Sequence, residues 1–402
     1  SNFSSSLARD YRSLVWVEMT AFSVCFGHRS IVVAAIIVAI AILGAPTPWK
    51  RDGKALLAPS ESYTAVDLIS IGSRAGNEHS HTKLVFLHGW PDSSDVWRRQ
   101  LESFCPDNST SSYDCIALTL PGYGPGTVAP PSAMKSPAGL DADELAEQLA
   151  RIMHAIREEH ESKVAQLASH SWSGWISHTA GQLVSVVKSR RARLVLFSHD
   201  WGAWIGYAMD KASPYLIDGM VAFDVGPGAG PRKGESNIVW GVGLVTYQFV
   251  NIAAWFAGTK LPLVGPPVAN LALRLFSKFG MGMLLSTATP TPWFEQSYTQ
   301  SYLYWHAWRH GNPGKARFIT MGYDDMSKSK DGRQETPSCP TLFLAGTVGF
   351  NLHGDAWFNE INSRQKVDGA SLARRIEGCN HWLLYFCSEE VNRLANTFLD
   401  AL

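Results

Sequence analysis

One motif in this chain has the composition and spacing of a nucleophile held on a tight turn. Residues 194–206 read LVLFSHDWGAWIG, an apolar run that passes directly into a helical pattern, and small residues at positions 198 and 202 flank Asp200. Such a strand-to-helix turn lifts the central side chain to the helix N-terminus, whose positive end helps keep a carboxylate ionised. A carboxylate there suits attack on carbon, giving an ester that water must later cleave. The alternative is an Asp that only caps a helix.

A second motif could stabilise the breakdown of that ester. Residues 88–91 read HGWP and follow the apolar run 83–87. A turn of this type can aim the backbone N–H of Trp90 at the neighbourhood of the nucleophile. With the N–H of Trp201, it would form an oxyanion hole for the tetrahedral intermediate of ester hydrolysis.

A third motif supplies a candidate base. Residues 378–382 read GCNHW, and His381 is the residue that would activate water. A lone His is more often structural. However, where a nucleophile lies on a strand-to-helix turn of this kind, the base follows it in the chain, as His381 follows Asp200.

The elements that must position these groups alternate along the chain. Strand and helix in succession imply an α/β protein with a mostly parallel, doubly wound sheet covered on both faces. Residues 226–335 break this rhythm, are rich in Trp, Tyr and Pro, and are mostly helical in pattern. An insertion of that size would lie over the carboxyl edge of the sheet, where α/β proteins bind ligands, and is predicted to form a cap. The predicted strands are 62–73, 83–89, 113–120, 193–200, 217–225, 341–345 and 371–376, and the predicted helices are 140–157, 201–212 and 383–402.

On these motifs the chain resembles the α/β-hydrolase superfamily, specifically the epoxide hydrolases and haloalkane dehalogenases that use an Asp nucleophile. The resemblance covers residues 60–402 and includes the PGYG sequence at 121–124. It implies an α/β-hydrolase fold with a helical cap inserted after the sixth strand. It also implies hydrolysis of a small apolar substrate, with no cofactor and no metal.

The expected organisation has four segments. Residues 1–58 form an N-terminal segment, 59–228 the first part of the core, 229–335 the cap, and 336–402 the second part of the core.

The resemblance to epoxide hydrolases requires two cap tyrosines that protonate the epoxide oxygen. Tyr247, 47 residues after Asp200, lies where the first is expected. Tyr323 is the first choice for the second, and Tyr304 is the alternative. Either residue could instead serve ordinary aromatic packing.

The acid that orients the catalytic His departs from the family pattern. It is usually an Asp a few residues beyond the strand 341–345, but Gly349 occupies that place here. Asp224, at the end of the preceding strand, is the expected replacement and would hold the His381 tautomer and stabilise its cation. Its alternative role is to cap a loop before a glycine. Asp355 is judged too far along the chain.

A second elbow-like sequence offers a rival nucleophile. Residues 166–176 read QLASHSWSGWI, which places Ser171 between two small residues. The preceding strand and the spacing to Asp224 and Tyr247 all favour Asp200. Residues 164–192 lengthen this part of the chain beyond what the family needs.

Composition excludes several other classes of protein. The 35 Lys and Arg balance 35 Asp and Glu, so no excess of cations favours nucleic acid. With 46% hydrophobic and 17% charged residues, most of the chain is expected to fold. The six cysteines show no metal-ligand spacing and are too sparse for a disulfide scaffold.

The N-terminal segment contains a candidate membrane anchor. Residues 31–45 carry no charge, and the sequence around a possible cleavage site suits signal peptidase poorly. We therefore expect association with a membrane, that of the endoplasmic reticulum, through residues 30–45. The alternative is a buried helix. Neither the orientation nor the oligomeric state follows from the sequence.

Three functions follow from these features. The first is an epoxide hydrolase that converts an apolar epoxide to a diol through an Asp200 ester. The second is a haloalkane dehalogenase with the same nucleophile, in which indole N–H groups hold the halide. The third, motivated by the missing acid at position 349, is a non-catalytic binding module.

Overall fold

The architecture is taken from a computed structural model of the chain. It describes residues 69–77, 80–106, 111–123, 142–172, 192–227, 237–261, 263–282, 289–310, 336–350 and 352–402. The candidate anchor at 30–45 and Tyr323 lie outside these residues. In the described ranges, no helix combines the length and hydropathy needed to cross a membrane.

A seven-stranded sheet forms the centre of the described residues, in the order β1-β3-β2-β4-β5-β6-β7. Only β1 runs antiparallel to its neighbour, and the other pairs are parallel. The predicted mostly parallel sheet is therefore confirmed. The strands β3 to β6 are buried along almost their whole length, because their sequences are near-continuous apolar runs. The strands are β1 Ser70–Gly76, β2 Thr82–Leu87, β3 Asp114–Thr119, β4 Arg193–His199, β5 Gly219–Phe223, β6 Thr341–Gly346 and β7 Leu372–Ile376.

Helices connect the strands, and their bounds differ in part from the sequence prediction. The helix predicted at 201–212 has those bounds, and the one predicted at 140–157 extends to Trp172. The last predicted helix is divided, because Cys387 leaves helical geometry with φ −121° and ψ 33°. The helices are α1 Arg98–Phe104, α2 Ala142–Trp172, α3 Trp201–Ala212, α4 Asn237–Lys260, α5 Gly265–Leu275, α6 Tyr302–His310, α7 Asp355–Asp368, α8 Leu383–Phe386 and α9 Ser388–Ala401.

The helical insertion lies between β5 and β6. Within the described residues it thus follows the fifth strand, where the family resemblance had implied the sixth. It includes α4, α5, a π-helical turn at Phe276–Gly280, short 3-10 turns at Trp293–Glu295 and Tyr298–Gln300, and α6. Its polar groups bond to the loops after β2 and β3: Gln300 Nε2 donates to the Pro91 carbonyl at 3.2 Å, and Thr299 Oγ1 donates to the Gly122 carbonyl at 3.0 Å. The insertion therefore covers the carboxyl ends of these strands.

Two disulfides each join cysteines that are close in the chain. One joins Cys105 to Cys115 and the other joins Cys379 to Cys387, while Cys339 is buried and free. The sequence did not predict either pair. The second disulfide closes the loop that carries His381.

The turn between β4 and α3 depends on a close backbone approach. A Cβ atom at Gly202 would meet the carbonyl oxygens of Leu87 and His88 well inside van der Waals contact. Because both obstacles are backbone atoms, neither can move aside cheaply. We predict that Gly202→Ala lowers the free energy of unfolding by about 3 kcal/mol through overpacking.

Urea unfolding followed by circular dichroism measures this change. Gly241→Ala on α4 is the matched control, since a Cβ there meets nothing within 4 Å. It should leave stability unchanged or raise it by about 0.5–1 kcal/mol, because alanine restricts the unfolded helix segment more than glycine does. Equal stability of the two variants would contradict the prediction.

Candidate active site

Asp200 lies on a strained turn at the end of β4. Its φ is +52° and its ψ is −121°, and it immediately precedes α3. A non-glycine residue in such a region costs about 1–3 kcal/mol, which the surrounding packing must offset. The approach of Gly89 on the neighbouring turn is equally close, since a Cβ there would lie 2.6 Å from Asp200 Oδ2. The carboxylate is thus fixed against two backbone segments.

Two backbone N–H groups hydrogen-bond this carboxylate. The Trp90 N–H donates to Asp200 Oδ2 at 2.8 Å, and the Trp201 N–H also hydrogen-bonds the carboxylate. These are the two donors that the sequence named for an oxyanion hole. Asp200 Oδ1 is the oxygen nearer to His381, whose Nε2 lies 3.8 Å away.

His381 and Asp224 form a buried hydrogen-bonded pair. His381 Nδ1 donates to Asp224 Oδ2 at 2.7 Å, and the Gly346 N–H donates to Asp224 Oδ1 at 3.0 Å. The structure therefore brings Asp200, His381 and Asp224 into one line of contacts. Asp355, by contrast, has a side chain that is 84% exposed and pairs with Arg375.

Asp200, His381 and Asp224 are close enough to shift one another's pKa values. Burial raises the pKa of Asp200 in spite of the nearby His381. Burial lowers the pKa of His381, but the hydrogen bond and charge of Asp224, followed by the charges of Asp200 and Asp92, raise it above its ordinary 6.5 overall. Burial raises the pKa of Asp224, but its bond to His381 holds that pKa below the ordinary value. Asp224 therefore stays ionised and stabilises a His381 cation.

Two other histidines near the site stay neutral. Burial lowers the pKa of His88 to about 4, and its ring donates from Nδ1 to Gly89 O at 2.8 Å and accepts the Leu120 N–H at Nε2. Burial also holds the pKa of His199 well below its ordinary value, and its Nε2 bonds to the carbonyl of His381 at 3.1 Å. Both rings position backbone, which leaves His381 as the candidate base.

Asp92 is a site residue that the sequence analysis missed. It is fully buried, and it accepts hydrogen bonds from Trp382 Nε1 and Thr291 Oγ1, each at 2.7 Å. Burial raises its pKa to about 6. Through these two hydrogen bonds, Asp92 connects Trp382, the residue after His381, to the inserted region. Its position directly after the HGWP motif is the only sequence feature that pointed to it.

Two tyrosines of the insertion lie opposite the Asp200 turn. The hydroxyls of Tyr247 on α4 and Tyr304 on α6 share a hydrogen bond. Their rings contact the Trp90 indole at centroid distances of 5.3 and 5.9 Å, and Tyr304 contacts Trp201 at 5.1 Å. Burial, then the charges of Asp200 and Asp92, hold the pKa of Tyr247 well above its ordinary value. Its hydroxyl therefore stays protonated and can donate.

The rival nucleophile has no comparable setting. Ser171 lies within α2, which ends at Trp172, so the backbone there forms a helix and not a strand-to-helix turn. Among the described residues, the candidate site included, no cluster of three or more His, Cys, Asp or Glu side chains could hold a metal ion.

Comparison with known proteins identifies the family. The sequence model of the alpha/beta hydrolase family matches residues 84–394. No curated protein matches the chain.

Solved structures with a similar course of the chain include several epoxide hydrolases. An epoxide hydrolase from Vigna radiata is 15% identical with a TM-score of 0.46, and the match covers 82% of this chain and 93% of that one. Potato (Solanum tuberosum) epoxide hydrolase I is 15% identical with a TM-score of 0.46, and the match covers 82% of this chain and 95% of that one. A Bacillus megaterium epoxide hydrolase in complex with an inhibitor is 17% identical with a TM-score of 0.43, and the match covers 82% of this chain and 96% of that one.

The family match spans most of the chain, including most of β2, all of β3 to β7 and the residues Asp200, Asp224 and His381. This protein belongs to the alpha/beta hydrolase family.

Proposed function

We propose that this hydrolase converts an apolar epoxide to a vicinal diol through a covalent ester on Asp200. The observation that carries the proposal is the pairing of the Tyr247 and Tyr304 hydroxyls beside the Trp90 and Trp201 rings, whose backbone N–H groups bond the Asp200 carboxylate. Opening an epoxide by a carboxylate needs a nucleophile at carbon and a proton donor at oxygen at the same time. A carboxylate near a hydrogen-bonded pair of phenols, of which Tyr247 stays protonated, meets both needs.

In the first step, Asp200 Oδ1 attacks an epoxide carbon. The carbon–oxygen bond of the ring breaks, and the oxygen takes a proton from the tyrosine pair. Oδ2 stays bonded to the Trp90 N–H, so the carboxylate keeps one orientation throughout. The product of this step is a hydroxyalkyl ester of Asp200.

In the second step, water cleaves that ester. His381 accepts a proton from water, and the resulting hydroxide attacks the Asp200 carboxyl carbon. The negative charge collects on Oδ2, where the Trp90 N–H stabilises it, and the Trp201 N–H, which also bonds this carboxylate, adds to that stabilisation. The intermediate then collapses: the bond from the carboxyl carbon to Oδ1 breaks, and Oδ1 leaves in the diol with the proton that His381 had accepted. The new Asp200 carboxyl group returns its proton to the tyrosine pair, which restores the starting state. Asp224 stabilises the His381 cation during this step through the 2.7 Å hydrogen bond.

This mechanism predicts that Asp224→Asn blocks the second step and spares the first. An amide cannot stabilise the His381 cation and can select the wrong tautomer, and losses of this kind reach about 10⁴-fold. With an apolar aryl epoxide such as styrene oxide, the variant should show a burst and accumulate an Asp200 ester visible by intact mass.

Three further variants make the test specific. His381→Gln should trap the same ester, and Asp200→Asn should form none. Asp355→Asn is the matched control, since Asp355 is exposed and pairs with Arg375. Full turnover by Asp224→Asn with collapse of Asp355→Asn would reverse the assignment of the acid.

The tyrosine pair can be tested separately from ester hydrolysis. In a His381→Gln background, Tyr247→Phe with Tyr304→Phe should slow ester formation by about 10²-fold or more, because the leaving oxygen loses its proton donors. Rapid-quench mass spectrometry measures that rate. Tyr215→Phe, at a side chain that is 78% exposed, is the control. Unchanged ester formation in the double variant would refute the role of the pair.

Dehalogenation is the second candidate, and one observation favours it. The Trp90 indole Nε1 is buried and has no hydrogen-bond partner among the described residues, so it could donate to a halide. Release of chloride or bromide from a panel of haloalkanes, without diol formation from epoxides, would establish this alternative.

The non-catalytic alternative loses its main motive, because Asp224 bonds His381 although residue 349 is a glycine.

A further inference from the structure

The outer face of α5 is apolar at positions where a surface helix is normally polar. Val264, Val268, Leu271, Leu275 and Phe279 are 64%, 59%, 56%, 46% and 42% exposed. Their spacing of three or four residues places them along one side of α5 and the turn that follows it. Together they form a continuous apolar stripe.

The same helix is also apolar on its inner side. Gly265, Ala269 and Leu273 are buried against the rest of the inserted region. A helix on the surface of a soluble domain usually has one apolar and one polar face. The exposed stripe is therefore surplus to what packing of the domain requires, and a patch of this kind marks an interaction site.

Neighbouring side chains enlarge the stripe. Leu263 is 93% exposed at its start, and Trp293 and Phe294 are exposed beside its end. The Lys278 ammonium lies over the rings of Phe279 and Trp293, at 5.1 and 4.9 Å from their centroids, and so joins the two parts. We call the exposed side chains of residues 261–279, with Trp293 and Phe294, the cap face.

The charge of this region is net positive. Residues 236–295 contain three cationic side chains, Lys260, Arg274 and Lys278, and one acidic side chain, the exposed Glu295 directly after Phe294. Two copies of the chain meeting through this face would bring like charges together, which disfavours a symmetric dimer. An anionic partner with an apolar interior matches both the cations and the exposed aliphatic and aromatic groups.

We propose that the cap face docks on the surface of a lipid bilayer that contains anionic lipid. The stripe of α5 enters the boundary between headgroups and acyl chains, Trp293 and Phe294 lie at the interface, and Lys260 and Lys278 face the phosphates. The helix lies in the plane of the surface and does not cross it. This contact is independent of any anchor at residues 30–45.

A fluorescent label on the cap face tests the proposal in the full chain. An NBD group attached through Val268→Cys, in a Cys25→Ser background, should brighten about twofold or more with phosphatidylcholine vesicles that contain about 30% phosphatidylserine. The same label at Val367→Cys on α7 is the control, because Val367 is 90% exposed and lies outside the cap face. Both variants should keep the wild-type circular dichroism spectrum and melting temperature.

Charge reversal separates the lipid from other partners. Lys278→Glu in the Val268→Cys background should weaken the response to anionic vesicles about tenfold, and Lys366→Glu on α7 should not. A label at 268 that stays silent, or that brightens no more than the label at 367, would overturn the proposal. Brightening that follows protein concentration without vesicles would also overturn it, since the face would then bind a second copy.

Discussion

The candidate site depends on one constrained residue, the Asp200 carboxylate on a turn with φ +52°. The turn is unfavourable for any residue with a Cβ, so it persists only because neighbouring backbone leaves no room for another conformation. Gly202 and Gly89 allow the strand-to-helix turn and the HGWP turn to approach this closely. The approach brings the Trp90 N–H to 2.8 Å from Oδ2. The close approach of these two turns therefore both holds the strained backbone of Asp200 and orients its carboxylate, the candidate nucleophile.

The position of Asp224 beside His381 follows from the order of the sheet. β5 and β6 are parallel neighbours, so their carboxyl ends meet at the same edge. An acid at the end of either strand can therefore reach the loop after β7 that carries His381. The backbone of Asp224 bonds to Leu344 O at 2.8 Å, and its side chain accepts the Gly346 N–H. These bonds fix the carboxylate beside His381, and Gly349, with φ +84°, occupies a conformation that favours glycine over Asp.

Local sequence patterns predicted much of this arrangement, because the strands are apolar runs and the elbow is a contiguous motif. The β4 and α3 boundaries around Asp200 and the donors Trp90 and Trp201 follow from such patterns. Contacts between segments that are distant in the chain could not be predicted from local patterns. The hydrogen bonds from Thr291 and Trp382 to Asp92, and the pairing of Tyr304 with Tyr247, exist only after the insertion packs on the core. The two disulfides likewise depend on tertiary approach, since no spacing of the six cysteines distinguishes them.

The most direct test of covalent catalysis by Asp200 follows the oxygen atoms. The enzyme, in excess over a racemic apolar epoxide, is allowed a single turnover in heavy-oxygen water. If the ester route is correct, the first diol carries unlabelled oxygen from the Asp200 carboxylate, and the peptide containing Asp200 gains the label. Label that appears wholly in the first diol, with an unlabelled Asp200 peptide, would mean direct attack by water and would contradict the account.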